Sequence, residues 1–166
     1  MIKLIIDKLS RISKLRKRLE EKLNVKITNR GKEFYIEGKP EDEYIAQKII
    51  EALNFGFPYP AAILIKEEDF IFEIINIKDH TKRYDKERIR GRIIGRGGKT
   101  LKTLASLTGS FFEIKDNQVA IISDPENMEL SQQAIISLIK GSKTSNVYKA
   151  LEKNRPKPIW DLGLKE

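Results

Sequence analysis

The run Gly91-Arg92-Ile93-Ile94-Gly95-Arg96-Gly97-Gly98-Lys99-Thr100 limits what this chain can fold into more than any other stretch. Apolar residues flank a glycine-rich turn, and a basic side chain stands at nearly every position that cannot be interior. Gly95 and Gly98 bracket a G-x-x-G turn whose only projecting side chain is Arg96, because Gly97 has none. A polyanion backbone can then approach the main chain closely, and free amides there favour phosphate. Spacing excludes two other phosphate-cradling loops. A nucleotide-hydrolase loop needs glycine five positions before Gly98 of Gly98-Lys99-Thr100, and Ile93 stands there. The dinucleotide fingerprint needs glycine three positions after Gly97, and Thr100 stands there.

What remains is the G-x-x-G loop of KH domains, which clamps about four nucleotides of single-stranded nucleic acid. The surroundings agree with it. Between Lys86 and Thr103 the basic residues Lys86, Arg88, Arg90, Arg92, Arg96, Lys99 and Lys102 are met by one acid, Glu87. After the loop, Leu101, Leu104, Ala105 and Thr108 recur at helical spacing, so a helix starts at the second glycine with its free N–H groups aimed back at the loop. Phe111-Phe112-Glu113-Ile114 and Val119-Ala120-Ile121-Ile122, joined by Lys115-Asp116-Asn117, read as a hairpin. Pro125-Glu126-Asn127 opens a further helix with Ala134, Ile135, Leu138 and Ile139 as its apolar stripe. With an apolar strand from Phe70 to Ile77 in front, the order is strand, helix, G-x-x-G, helix, strand, strand, helix, the eukaryotic-type KH arrangement.

Composition narrows the function classes. The chain has 166 residues, a net charge of +8 and a pI near 9.5, which favour an anionic partner. With no Cys and only His80, a zinc ribbon, a thiol nucleophile and a disulfide framework are excluded. His80 has no second His or Cys with which to build a catalytic site, and Glu67-Glu68-Asp69 reads as a solvated strand boundary rather than a magnesium site. The expectation is a non-enzyme with no catalytic residues, no metal and no cofactor. Met1 to Asp7 is too short an apolar run for a signal peptide, and no stretch approaches a membrane span, so a soluble cytoplasmic protein without a membrane partner is expected.

The first half repeats the pattern at an offset of roughly 85 residues, and internal duplication is the economical explanation. Leu15, Leu19 and Leu23 mark a helix. Val25 to Thr28 and Glu33 to Ile36 mark a hairpin, and Pro40 opens a helix carrying Ile45, Ile49 and Leu53. The expected fold class is α+β: two tandem eukaryotic-type (type I) KH domains, each a three-stranded antiparallel sheet packed by three helices, with a linker helix and a C-terminal helix and tail. The divisions expected are a degenerate KH domain over 1–56, a linker helix over 57–68, the G-x-x-G domain over 69–142, and a C-terminal helix with Pro-containing tail over 143–166. At the same offset, Ser10 and Ser13 stand for Gly95 and Gly98, so Ser10-Arg11-Ile12-Ser13 is expected to clamp poorly. In the tail, Ile159 and Trp160 between prolines and charges are expected to dock on the chain's own domain or to insert into a partner's groove, with docking favoured.

With both halves in view, the chain resembles the archaeal version of the KH-repeat small-subunit ribosome assembly factors, known in eukaryotes as partners of the Nob endonuclease. The resemblance rests on Arg90-Gly91-Arg92-Ile93-Ile94-Gly95-Arg96 through Thr100, on the variable first unit, and on Gly141-Ser142 followed by Val147 to Glu152. It implies binding of the single-stranded 3′ end of small-subunit (16S) rRNA and an adaptor role in its maturation. It also implies two protein partners, the rRNA-processing endonuclease and the alpha subunit of initiation factor two. A monomer is expected from the short apolar linker. The other readings are a general single-stranded nucleic-acid-binding KH protein and a protein-interaction module in translation initiation.

The residues expected to carry RNA binding are Arg90, Arg92, Ile93, Ile94, Gly95, Arg96, Gly97, Gly98, Lys99, Thr100, Lys102, Phe112 and Ile114. Loop amides would meet successive phosphates, with Arg92, Arg96 and Lys99 supplying charge. Bases would lie over Ile93, Ile94, Leu101 and the strand from Phe112 to Ile114. Neutralising about four phosphates would weaken binding roughly fifty-fold between 50 and 200 mM salt.

Overall fold

The computed structural model describes residues 1–154; the Ile159 and Trp160 tail expectation lies outside them. The first half runs β1 (Ile2–Ile5), α1 (Leu9–Leu23), β2 (Lys26–Arg30), β3 (Glu33–Glu37) and α2 (Pro40–Phe55). Two short helices, α3 (Tyr59–Ala62) and α4 (Leu64–Glu67), connect it to the second half in place of the single linker helix expected. The second half runs β4 (Ile71–Asn76), α5 (Lys86–Ile94), α6 (Lys99–Thr108), β5 (Phe111–Lys115), β6 (Gln118–Ser123), α7 (Pro125–Ile139) and α8 (Thr144–Asn154). Among the described residues, no helix is long and apolar enough to cross a membrane.

Each half builds a three-stranded antiparallel sheet with its last strand in the centre, in the orders β1-β3-β2 and β4-β6-β5. Gly31 with φ +57° turns the first hairpin, and Asp116 with φ +53° turns the second. From β2 onward the halves keep one constant offset, at which Lys26 and Phe111, Glu33 and Gln118, and Pro40 and Pro125 open equivalent elements.

Before β2 that offset breaks, and here the structure corrects the sequence reading. Ser10 to Ser13 are not a weakened loop; they lie inside the unbroken helix α1. The first sheet is therefore packed by two helices, α1 and α2, where three were expected. Leu19 and Leu104, both fully buried, keep the offset of the later elements, whereas Ile12 and Ile93, each fully buried and preceded by an arginine, do not. Six residues separate Ile12 from Leu19 and ten separate Ile93 from Leu104. The first half is shorter here by the length of the G-x-x-G turn, and one helix runs where the second half has two.

The second sheet is covered on both faces. Along β6, Val119 and Ile121 join the core under α5, α6 and α7, whereas Ala120 and Ile122 join Phe72 in the core of the first half. That is why five consecutive residues from Val119 to Ser123 are buried, with no period-two alternation. Phe57, after α2, meets Phe72 of β4 edge-on at 6.1 Å between ring centres. The halves thus share one apolar interface, and the helix side of the second sheet is left to carry the glycine loop.

Candidate nucleic-acid interface

Helix α5 begins at Asp85, whose Oδ1 accepts the Arg88 amide at 3.2 Å, and ends at Gly95, whose amide donates to the Gly91 carbonyl at 2.8 Å. Gly95 has φ +76°, and a Cβ there would collide with Thr100 Oγ1 and stand 2.7 Å from the Thr100 amide nitrogen. No other residue fits. A single 3₁₀ turn over Arg96–Gly98 follows, with Gly97 at φ +59° and Gly98 at φ +77°. No heavy atom lies within 4 Å of where their Cβ atoms would be, so the outer side of the turn is open. Gly98 caps α6 without a side chain, which leaves the first-turn amides of a ten-residue helix pointing into that space.

The predicted site residues divide into several groups. Arg96, Lys99 and Lys102 are exposed around the turn and the first turn of α6, where a phosphate chain would run. Ile94, Leu101, Phe112 and Ile114 are half-buried. The last three border the core of the second half. Phe112 and Ile114 pair with Ile121 and Val119, and β5 is an edge strand, so one side of its backbone is outside the ladder. Arg90 is half-buried, and its Nε is buried without a hydrogen-bond partner among the described residues.

Three predicted residues do other work. Ile93 is fully buried in the core and forms no part of a base groove. Thr100 is 8% exposed, and its side chain lies against the inner side of Gly95. Arg92 faces away from the turn, donating from Nη1 to the Leu138 carbonyl at 3.2 Å and from Nη2 to the Ser142 carbonyl at 2.5 Å. It holds the C-terminal end of α7 and is not a free phosphate ligand.

Two features of the site carry no local sequence signal. Arg83 lies outside the basic window from Lys86 to Thr103, yet its guanidinium comes within 4.0 Å of a Gly141 Cβ position, as does that of Arg92. No local pattern foretells an approach across so much chain. Glu113 projects from β5 towards the first half, and burial raises its carboxyl above the ordinary value, with the charges of Lys8 and Arg11 opposing that shift.

A family model described as the eukaryotic-type KH domain (KH-domain type I), of the Pno1 second-domain kind, matches residues 71–156. The KH domain-containing protein MJ0443 of Methanocaldococcus jannaschii is 29% identical over 150 residues, covering 86% of this chain and 66% of that protein. The RNA-binding protein pno1 of Drosophila pseudoobscura is 33% identical over 135 residues, covering 76% of this chain and 57% of that protein. The chain thus spans less than two thirds of the length of both relatives. Among solved structures, a chain of the a/eIF2alpha-aDim2p-rRNA complex from Pyrococcus horikoshii OT3 superposes with a TM-score of 0.82 at 30% identity, covering 93% of each chain.

Proposed function

The chain belongs to the Pno1 family of KH-domain proteins, and from that premise we propose that it is an RNA-binding ribosome maturation factor. It binds the single-stranded 3′ end of small-subunit rRNA and acts as an adaptor while that end matures. The observation that carries the reading is the turn over Gly95, Arg96, Gly97 and Gly98. Its three glycines have positive φ, Gly97 and Gly98 leave the outer face open, and the free amides of α6 point into it. Such a turn accepts phosphates, and the bases then fall over Ile94, Leu101, Phe112 and Ile114 beside the free edge of β5.

The whole chain is read as two tandem KH units. The second, over 69–142, is the RNA clamp, and the first, over 1–56, is a KH unit whose loop has been deleted. The shared strand order and the constant offset after β2 support this. The 57–68 segment joins the units, and 143–166 closes the chain. Without a loop, the first unit is free for protein. A relative crystallised with eIF2alpha and rRNA supports the alpha subunit of initiation factor two as one partner, and the processing endonuclease is proposed as a second. The apolar interface through Phe57 and Phe72 supports a monomer. The function asks for no cofactor and no chemistry by the protein itself.

Salt dependence tests the clamp. Arg92 is engaged elsewhere, so Arg96, Lys99 and Lys102 are the loop's cations, and the expected number of neutralised phosphates falls from about four to about three. Binding of a hexanucleotide from the 3′ end of small-subunit rRNA should weaken about twentyfold between 50 and 200 mM salt. No binding at low salt, or a flat salt response, contradicts the reading.

A further inference from the structure

Helix α5 is cationic on two opposite flanks. Ile89 and Ile93 form its buried stripe; Arg90 and Ile94 lie to one side, towards the apolar groove, and Arg88 and Arg92 lie one turn apart on the other. On that second flank, Arg83, Arg88 and Arg92 line a cavity of about 330 Å³ with Ile89 and Asp85. The guanidiniums of Arg83 and Arg92 both come within 4.0 Å of one point beside Gly141. None of the three arginines takes part in an ion pair among the described residues. Asp85, the cavity's one acid, turns its carboxylate to the Arg88 amide as a helix cap. Lys140 and Lys143, exposed and next to Gly141 and Ser142 in the chain, add to the same side.

Converging guanidiniums without an ion-pair partner raise the local potential at a cost to the fold; the forked donors of Arg83 and Arg88 match phosphate oxygens, while Arg92, whose Nη groups are held by the Leu138 and Ser142 carbonyls, adds charge. The cavity presents no apolar shelf for a base beyond Ile89, so its chemistry reads backbone and not sequence. A strand threaded through the glycine loop runs along the opposite flank of α5, so it cannot serve both sites. We infer that the Arg83, Arg88 and Arg92 cavity is a second phosphate-binding site, which takes the backbone of an RNA segment separate from the single strand held by the glycine loop. This rests on the RNA-binding reading and extends it. The protein would grip a single-stranded end and a neighbouring folded segment at once, and the two contacts would reinforce each other through effective concentration.

The test uses the full chain and two RNAs, the hexanucleotide alone and the same six bases as the 3′ overhang of a stem-loop. In the variant Arg83→Glu with Arg88→Glu, both residues are exposed and Arg92 keeps its hold on α7. The variant should bind the hexanucleotide within about twofold of the parent, lose about tenfold on the stem-loop, and show a stem-loop salt slope smaller by about two. Arg83→Gln with Arg88→Gln should move the same way by less and guards against a folding defect. Lys26→Glu with Lys39→Glu carries the same charge change onto the first half and should leave both affinities near the parent's. Equal weakening on both RNAs, an unaffected stem-loop, or a parent that binds the stem-loop no tighter than the hexanucleotide overturns the inference. A parent that ignores the hexanucleotide but binds the stem-loop through these arginines sinks the glycine-loop reading and keeps this one.

Discussion

Arg11 and Arg92 make the same contact in the two halves of the molecule. Arg11 donates to the carbonyls of Leu53, in the last turn of α2, and Phe57 beyond it, and Arg92 donates to those of Leu138, in the last turn of α7, and Ser142 beyond it. Each precedes a fully buried isoleucine, and each pins the C-terminal end of the helix that follows its half's hairpin. The acceptors keep the offset of the later elements, yet Arg11 is 42 positions before Leu53 and Arg92 is 46 before Leu138. The contact common to the halves thus also places their four-residue difference in length after Ile12.

Arg92→Ala and Arg11→Ala should therefore act alike. Each loses two charge-assisted hydrogen bonds, and a destabilisation of about 2–3 kcal/mol is expected in urea or guanidinium unfolding. Lysine should restore little, because one ammonium cannot reproduce a fork that spans two carbonyls. Hexanucleotide affinity of folded Arg92→Ala should stay within about twofold of the parent. A large loss of hexanucleotide affinity at unchanged stability would contradict the role given to Arg92.

The loop glycines should separate by cause. Gly95→Ala combines a left-handed backbone with a Cβ placed against Thr100, and should cost more than about 3 kcal/mol. Gly97→Ala faces open space and meets only the left-handed penalty, about 1–2 kcal/mol. Thermal melts of the two variants check this, and equal shifts would contradict the packing of Thr100 beneath Gly95.

Glu113 makes stability depend on pH in a stated direction. Its folded pKa is raised above 4.5 by burial, so the folded state holds the proton more tightly than the unfolded chain. Stability conferred by the protonated form is full below 4.5 and declines as pH rises through the raised value. Glu113→Gln should match the parent well below that range and exceed it at neutral pH, a difference read from denaturant midpoints at several pH values. A variant less stable than the parent at neutral pH would show that Lys8 and Arg11 outweigh burial.

Much of the second half was legible because its signals are local. The spacing of Gly95 and Gly98, the hairpin about Asp116 and Asn117, and Pro125 after Asp124 each act within a few residues, and each element appears where those signals put it. The first-half hairpin and the helix opened by Pro40 were legible for the same reason. The fate of the first loop was not. Ser10 and Ser13 align with the glycines only while the offset stays constant, and nothing in a helix without glycine or proline marks where the first half is shorter. The packing of Ile93 and Arg92 carries no local signal, because their neighbours are distant in sequence. Ile135 and Leu138 belong to the core that buries Ile93, and the carbonyls that hold Arg92 come 46 and 50 positions after it. Local charge alone cannot separate an arginine facing solvent from one facing a helix end.

RNA binding by this chain, as proposed, depends on the turn over Gly95 to Gly98. The most direct measurement is the affinity of the full chain for the small-subunit 3′ hexanucleotide, compared with Arg96→Asp combined with Gly97→Asp. Both positions are exposed and Gly97 faces open space, so the substitutions put two carboxylates in the phosphate path and leave Gly95, Thr100 and the core untouched. The account predicts that binding falls by about a hundredfold or more, with the melting temperature within a few degrees of the parent's. Undiminished binding at unchanged stability would contradict it and move the RNA site elsewhere on the molecule.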